Sequence, residues 1–208
     1  GIVREVAAME LMPRIVEAFS RQELLDAYDL FQKRLNARGV TAVCDMALTA
    51  TAGLDFVRDD LFAELERAGR LSLRAHLFPT LTKGTHRLEE MQASLSGALV
   101  RACGYKQFFD GVSSQHTAWL EEPYSNARSD GECGRPTIDP TLMEELVHAA
   151  IEDGRIVRIH TIGDEAIHRA LDIFERCEGP GQLVLEHLEN FQPADVERLA
   201  RLGVIASV

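Results

Sequence analysis

Two periodicities alternate along the 208-residue chain. Short apolar runs rich in β-branched residues read as strands, and the stretches between them repeat apolar residues every three or four positions, as one face of a helix does. The runs Val40–Cys44, Leu71–Phe78, Tyr105–Phe109, Arg155–His160, Gln182–His187 and Gly203–Ser207 predict six strands. Helices are expected over Asp59–Arg70 and from about His86 to Ala102. Asp139 and Pro140 supply an N-cap and a first-turn proline to a helix reaching Asp153, with Gly154 at its end. Asp164 is expected to cap a helix through Cys177, and Pro193 to open a last one that Gly203 closes.

Strand–helix–strand repetition means a parallel sheet with helices packed outside, either open and doubly wound or closed into a barrel. No GxGxxG or Walker A loop occurs, which weakens the nucleotide-binding open sheets. Polar residues stand where successive strands end: Asp45, Asp110, His160 and His187. Such ends converge on the active face of a barrel. The fold class expected is therefore α/β, a TIM-type (β/α)8 barrel. It is incomplete here, because six strands fall short of eight and a full barrel typically takes about 250 residues. Residues 1–208 are expected to be one partial barrel domain from the middle of a longer protein.

Composition narrows the partners. The chain carries 33 acidic and 22 basic side chains, a formal charge of −11, which argues against nucleic acid because phosphate binding wants clustered Lys and Arg. No apolar run approaches the roughly 18 residues of a membrane span, and the opening residues Gly1–Val6 lack a signal-peptide layout. Cys44, Cys103, Cys133 and Cys177 form no CxxC pair, so isolated reduced thiols and a cytoplasmic location are expected. The remaining partner is a small-molecule substrate. Strand edges left unpaired by an incomplete barrel also invite self-association into a homo-oligomer.

Three residues stand out for chemistry. His160 and His187 each end a strand, and the two strands are consecutive. Neighbouring parallel strands lie about 4.8 Å apart, so the two imidazoles could share one metal; the alternative is a pair of histidines bonded to backbone carbonyls. Lys106 interrupts a run that otherwise reads as buried, and an interior ammonium is costly unless paired or chemically changed. By alternation it shares a face with Phe108 and Asp110. It could be an ion partner of Asp110 or Glu186, a Schiff-base lysine or a modified metal ligand. A mid-strand His76 reads as core, His86 and His116 as loop residues, and His148 and His168 as exposed on helices. Neither HExxH nor GxSxG occurs.

With these residues in hand, the chain resembles the YtcJ-like branch of the amidohydrolase superfamily, amidohydrolase family 3. The resemblance is carried by Gly39-Val-Thr-Ala-Val-Cys-Asp45, Lys106-Gln-Phe-Phe-Asp-Gly111, His116-Thr-Ala118, His160-Thr-Ile-Gly-Asp164, Glu186-His187 and Leu202-Gly-Val-Ile-Ala-Ser207. It runs the length of the chain. It implies a distorted (β/α)8 barrel with one or two divalent metals, usually Zn2+, that hydrolyses amide or related C–N bonds through a metal-activated water. Lys106, His160 and His187 would be metal ligands and catalytic residues, with Lys106 open to carboxylation by CO2. Asp110, His116, Asp164 and Glu186 would orient those ligands or contact substrate.

Departures accompany the likeness. The family's first-strand His-x-His pair, its eighth-strand aspartate and its small β-sandwich would all lie outside residues 1–208. His116 stands where the family often has Arg, and Cys44 where it often has His. With at most three of the expected ligands, the segment alone is expected to bind metal weakly and to be inactive. Two alternatives remain: a non-catalytic barrel scaffold or regulatory module, and an aldolase-like Schiff-base site on Lys106. The stretch from Ser113 to Ile138, with Trp119 and Tyr124, is expected to wall or cover a site, or to be a plain surface loop.

Overall fold

A computed structural model describes residues 11–49, 55–84 and 86–208; the opening Gly1–Val6 lies outside them. The chain divides into two compact units, residues 1–80 with 84–103, and residues 81–83 with 104–208.

The first unit is built on a three-stranded parallel sheet of β1 (Ala42–Met46), β2 (Arg74–Phe78) and β3 (Val100–Ala102), in that order. Its helices are α1 (Met12–Glu17), α2 (Arg21–Asn36), α3 (Asp59–Arg67) and α4 (Arg87–Ser94). Ser20 starts α2 with a capping box: its hydroxyl accepts from the Glu23 amide while the Glu23 carboxylate accepts from the Ser20 amide. Leu61, Leu65, Leu73, Ala75, Leu77 and Met91 form the centre of its core. Each large side chain so buried contributes roughly 1.5–3 kcal/mol.

The second unit holds a four-stranded parallel sheet in the order β4 (Gly104–Phe108), β5 (Ile156–Thr161), β6 (Gln182–His187), β7 (Ile205–Ser207). Helices α5 (Pro140–Glu152), α6 (Asp164–Glu175) and α7 (Pro193–Leu202) connect β4 through β7, and α5 and α6 pack on β5. One face of the sheet is apolar: Val157, Ile159, Leu183 and Leu185 are buried along with Val147, Ile151, Ile167 and Leu171 of the helices. The other face, one residue out of phase, carries Lys106, Phe108, Arg158, His160 and Glu186. A sheet with one oily and one polar, buried face is what places chemistry inside this unit.

Four readings of the sequence change. Seven strands, not six, occur among the described residues, because the end of the expected His86–Ala102 helix is β3 instead. Helix α4 stops at Ser94, where Ser96 and Gly97 follow. Helix α3 ends at Arg67 rather than Arg70. Gly163, not Asp164, occupies the N-cap of α6; Asp164 is the first helical residue, and the helix ends at Glu175. The capping of α5 is as expected, with Asp139 accepting from the Thr141 and Leu142 amides, and Gly203 closes α7 in the left-handed region. The described elements are two parallel α/β sheets.

Candidate functional site

Lys106 sits on β4 with only 3% of its surface exposed, and its Nζ has no hydrogen-bond partner. Neither of the ion pairs open to it in the sequence forms. Asp110 is spent elsewhere, and Glu186 is taken by Arg158 of the neighbouring strand. The register explains that capture. Lys106 pairs with Arg158, so the guanidinium stands beside the amine on the same face and reaches along the sheet to Glu186. Nζ lies 4.9 Å from the centroid of the Phe108 ring. Burial lowers its pKa to about 7, with Arg158 pushing the same way against the pull of Glu186 and Asp110. With that pKa a substantial share of the buried amine is neutral near pH 7, and the neutral form can act as a nucleophile or as a metal ligand.

His160 ends the same polar face and pairs in register with Phe108 on one side and Glu186 on the other. Its Nε2 lies 2.8 Å from the Gly111 carbonyl, so Nε2 carries the proton and Nδ1 keeps the lone pair. Burial drops its pKa to about 4. The ring is packed against Phe108 at 5.3 Å and meets the His187 ring edge-on, with centroids 4.6 Å apart. His187 is partly exposed, its backbone has φ 78°, and partial burial, followed by the charge of Lys106, lowers its pKa as well. The structure thus brings two neutral imidazoles together at the carboxyl ends of β5 and β6.

The surrounding residues do different work. Asp110 is fully buried and ties three segments down: its Oδ2 accepts from the Trp119 and Gly163 amides and its Oδ1 from the Ile162 amide. Burial raises its pKa to about 6 against the opposing effect of those amides. A side chain on Gly163 would strike the Trp119 carbonyl, so the glycine in the His160–Asp164 motif is there for close approach. Asp164 Oδ1 accepts from the Glu121 and Glu165 amides. His116, left-handed at φ 60°, gives Nδ1 to Glu132 at 2.8 Å and stacks on Tyr124 at 4.5 Å. Together with Asp164 it lines a cleft of about 480 Å3. His76, in the first unit, is partly buried and bonded to the Cys103 sulfur.

Sequence reasoning missed Arg158 and Glu132. The first carried a readable signal, a charge two residues before His160 in an apolar run; the second, 16 residues beyond its partner, carried none. Among the described residues no group of three or more His, Cys, Asp or Glu could hold a metal ion. The donors that cluster here are two imidazoles and a lysine amine, with the Arg158–Glu186 ion pair on the same face.

Comparison places the fold. Over the whole chain the fold matches a crystal structure of an uncharacterized metal-dependent hydrolase from Pyrococcus horikoshii, with a TM-score of 0.80 and 27% identity, covering 41% of that chain. A second one, from Pyrococcus furiosus, matches with a TM-score of 0.77 and 28% identity, covering 42% of that chain. The amidohydrolase family model matches residues 1–208, and the chain belongs to that family. Among curated relatives, the Arabidopsis thaliana protein LONG AFTER FAR-RED 3 is 26% identical over 97% of this chain. The putative amidohydrolase YtcJ of Bacillus subtilis is 31% identical over 65% of it. The chain spans only 36% and 25% of those two relatives' own lengths.

Proposed function

We propose that this chain forms part of the catalytic (β/α)8 barrel of a metal-dependent hydrolase that cleaves an amide-type C–N bond of a small molecule, in a reducing cytoplasmic setting that suits its four free cysteines. The observation that carries the reading is the unpartnered, deeply buried Lys106 amine on the same sheet face as a pair of neutral imidazoles, His160 and His187.

The donor set fits a divalent cation. Imidazole must be neutral to ligate, and both rings are held so. Gly111 fixes the His160 tautomer and leaves Nδ1 as its ligating nitrogen. Lys106 would add a third ligand in one of two forms. As the neutral amine it ligates directly. Addition of CO2 to that amine makes one N–C bond, releases one proton and leaves an anionic carbamate oxygen in place of a buried cation. One or two ions, Zn2+ being the family's usual choice, supply an activated water and polarise the scissile carbonyl. The chain's own residues then position. His160 and His187 hold their lone pairs at a fixed spacing, Asp110 locks the loop after β4 to the end of β5, and the Arg158–Glu186 pair balances charge beneath the site.

The test uses the full-length protein. Lys106→Ala should sharply lower bound metal measured by elemental analysis and abolish amide hydrolysis; an unchanged metal content would refute the ligand role. A second reading, a non-catalytic regulatory module, draws on two relatives. One is LONG AFTER FAR-RED 3; the other is the exoenzymes regulatory protein AepA of Pectobacterium carotovorum, 26% identical over 182 residues. It predicts a full-length protein that carries no stoichiometric metal.

A further inference from the structure

The cleft lined by His116 and Asp164 has an unusual hydrogen-bond balance. Its walls come from the loop after β4 and from Asp164 and Asn190, which follow β5 and β6, so it opens at the same ends of the strands as His160 and His187. The donors there are committed inward. The Tyr124 hydroxyl donates to the Ala118 carbonyl, and the Asn190 amide to Ile162 and Ser113. His116 spends Nδ1 on Glu132. The acceptors are left over. With Nδ1 turned to Glu132, Nε2 of His116 has no partner among the described residues, on a side chain only 8% exposed. Asp164 uses Oδ1 for both of its amides, leaving Oδ2 without a partner, and Glu122 has none among the described residues. Neither Lys nor Arg lines the cleft; Ser114, Ser125 and Asn126 can turn either way.

From this geometry we infer that the cleft is the recognition pocket for a cationic, donor-rich group of the substrate, a protonated amine received by His116 Nε2, Asp164 Oδ2 and the Glu122 carboxylate. The inference rests on the hydrolase reading and adds the substrate's charge to it. An ammonium offers three N–H donors and one positive charge to three acceptors of which two are anionic. A carboxylate in the same place would face two like charges, which disfavours it against an ammonium.

A matched pair of amides tests this: N-acetylated diaminobutane and N-acetylated aminobutyrate, which differ in the sign of the distal charge. Binding to the metal-loaded full-length protein is measured by calorimetry, and hydrolysis is followed separately. The ammonium-ended amide should bind at least about tenfold more tightly, and high salt should narrow the gap. Asp164→Asn keeps an oxygen for the Glu121 and Glu165 amides, and Glu122→Gln is on the surface, so the double variant should fold and lose the preference. Equal or reversed preference, retention of the preference in the double variant, or no binding of either probe overturns the assignment. Selective binding without turnover supports the pocket and counts against the hydrolase reading alone.

Discussion

The rings of His160 and His187 meet edge-on with centroids 4.6 Å apart, although strand register pairs His160 with Glu186 and not with His187. His187 comes one residue later, where the pleat of β6 would send its side chain to the opposite face. The left-handed backbone at His187 (φ 78°) and Leu188 (φ 50°) ends the strand and turns the imidazole back. A non-glycine residue pays roughly 1–2 kcal/mol for that conformation. Glycine at position 187 should therefore be the more stable replacement: His187→Gly should exceed His187→Ala by about 1 kcal/mol in denaturant midpoint terms, reversing glycine's ordinary penalty. Both variants should lose metal affinity. An alanine variant as stable as the glycine one would remove the strain argument.

Lys106 is a second place where the fold gives up stability. Its folded pKa of about 7 lies below the ordinary 10.5. Between those values the unfolded chain binds the proton and the folded one does not, so stability should rise with pH from 7 toward 10.5. Lys106→Met removes the titration and fills the same space with an apolar chain. In the metal-free protein it should flatten that pH dependence and raise stability at pH 7 by roughly 1–4 kcal/mol, while metal binding disappears. A destabilised methionine variant would show that the amine has a partner that holds it.

The legible part of this fold was the part in which one residue broke its local pattern. Lys106 and His160 are polar positions in otherwise apolar runs, and strands β4, β5 and β6 fall within a residue of where those runs predict them. Strand β3 was lost because Leu95, Leu99 and Ala102 keep a helix-like spacing; the Ser96-Gly97 step was the break. Glu132 and the donor balance of the cleft were not readable, because they depend on how the 116–132 loop folds back on itself. The pairing of Arg158 with Glu186, rather than Lys106 with Glu186, is a matter of register, and register is set by contacts between strands that no local pattern displays.

Asp110 holds the loop after β4 onto the end of β5 with three backbone amides. Asp110→Asn replaces one acceptor oxygen with an NH2 group that faces N–H donors. The substitution should destabilise the protein by about 2–3 kcal/mol, the cost of buried donors left unmade. Amide exchange should quicken at Trp119, Ile162 and Gly163 before it does in the β5 centre, and substrate binding in the cleft should weaken with it. Uniform acceleration across β5 would mean that Asp110 supports the whole sheet and not the loop.

Asp45, near the end of β1, gives the first unit its own pH signature. Burial, reinforced by the nearby charge of Asp55, raises its pKa from 3.8 to about 6. A carboxyl whose folded pKa is raised binds its proton more tightly folded than unfolded. Its contribution to stability is therefore whole at pH 3.8 and below, and it is lost as pH climbs through 6. Asp45→Asn stays neutral throughout. The variant should match the parent near pH 4 and exceed it at pH 7, with thermal midpoints of the two diverging across the window between. Parallel midpoint curves from pH 4 to 7 would show that Asp45 ionises in the fold as freely as it does in water.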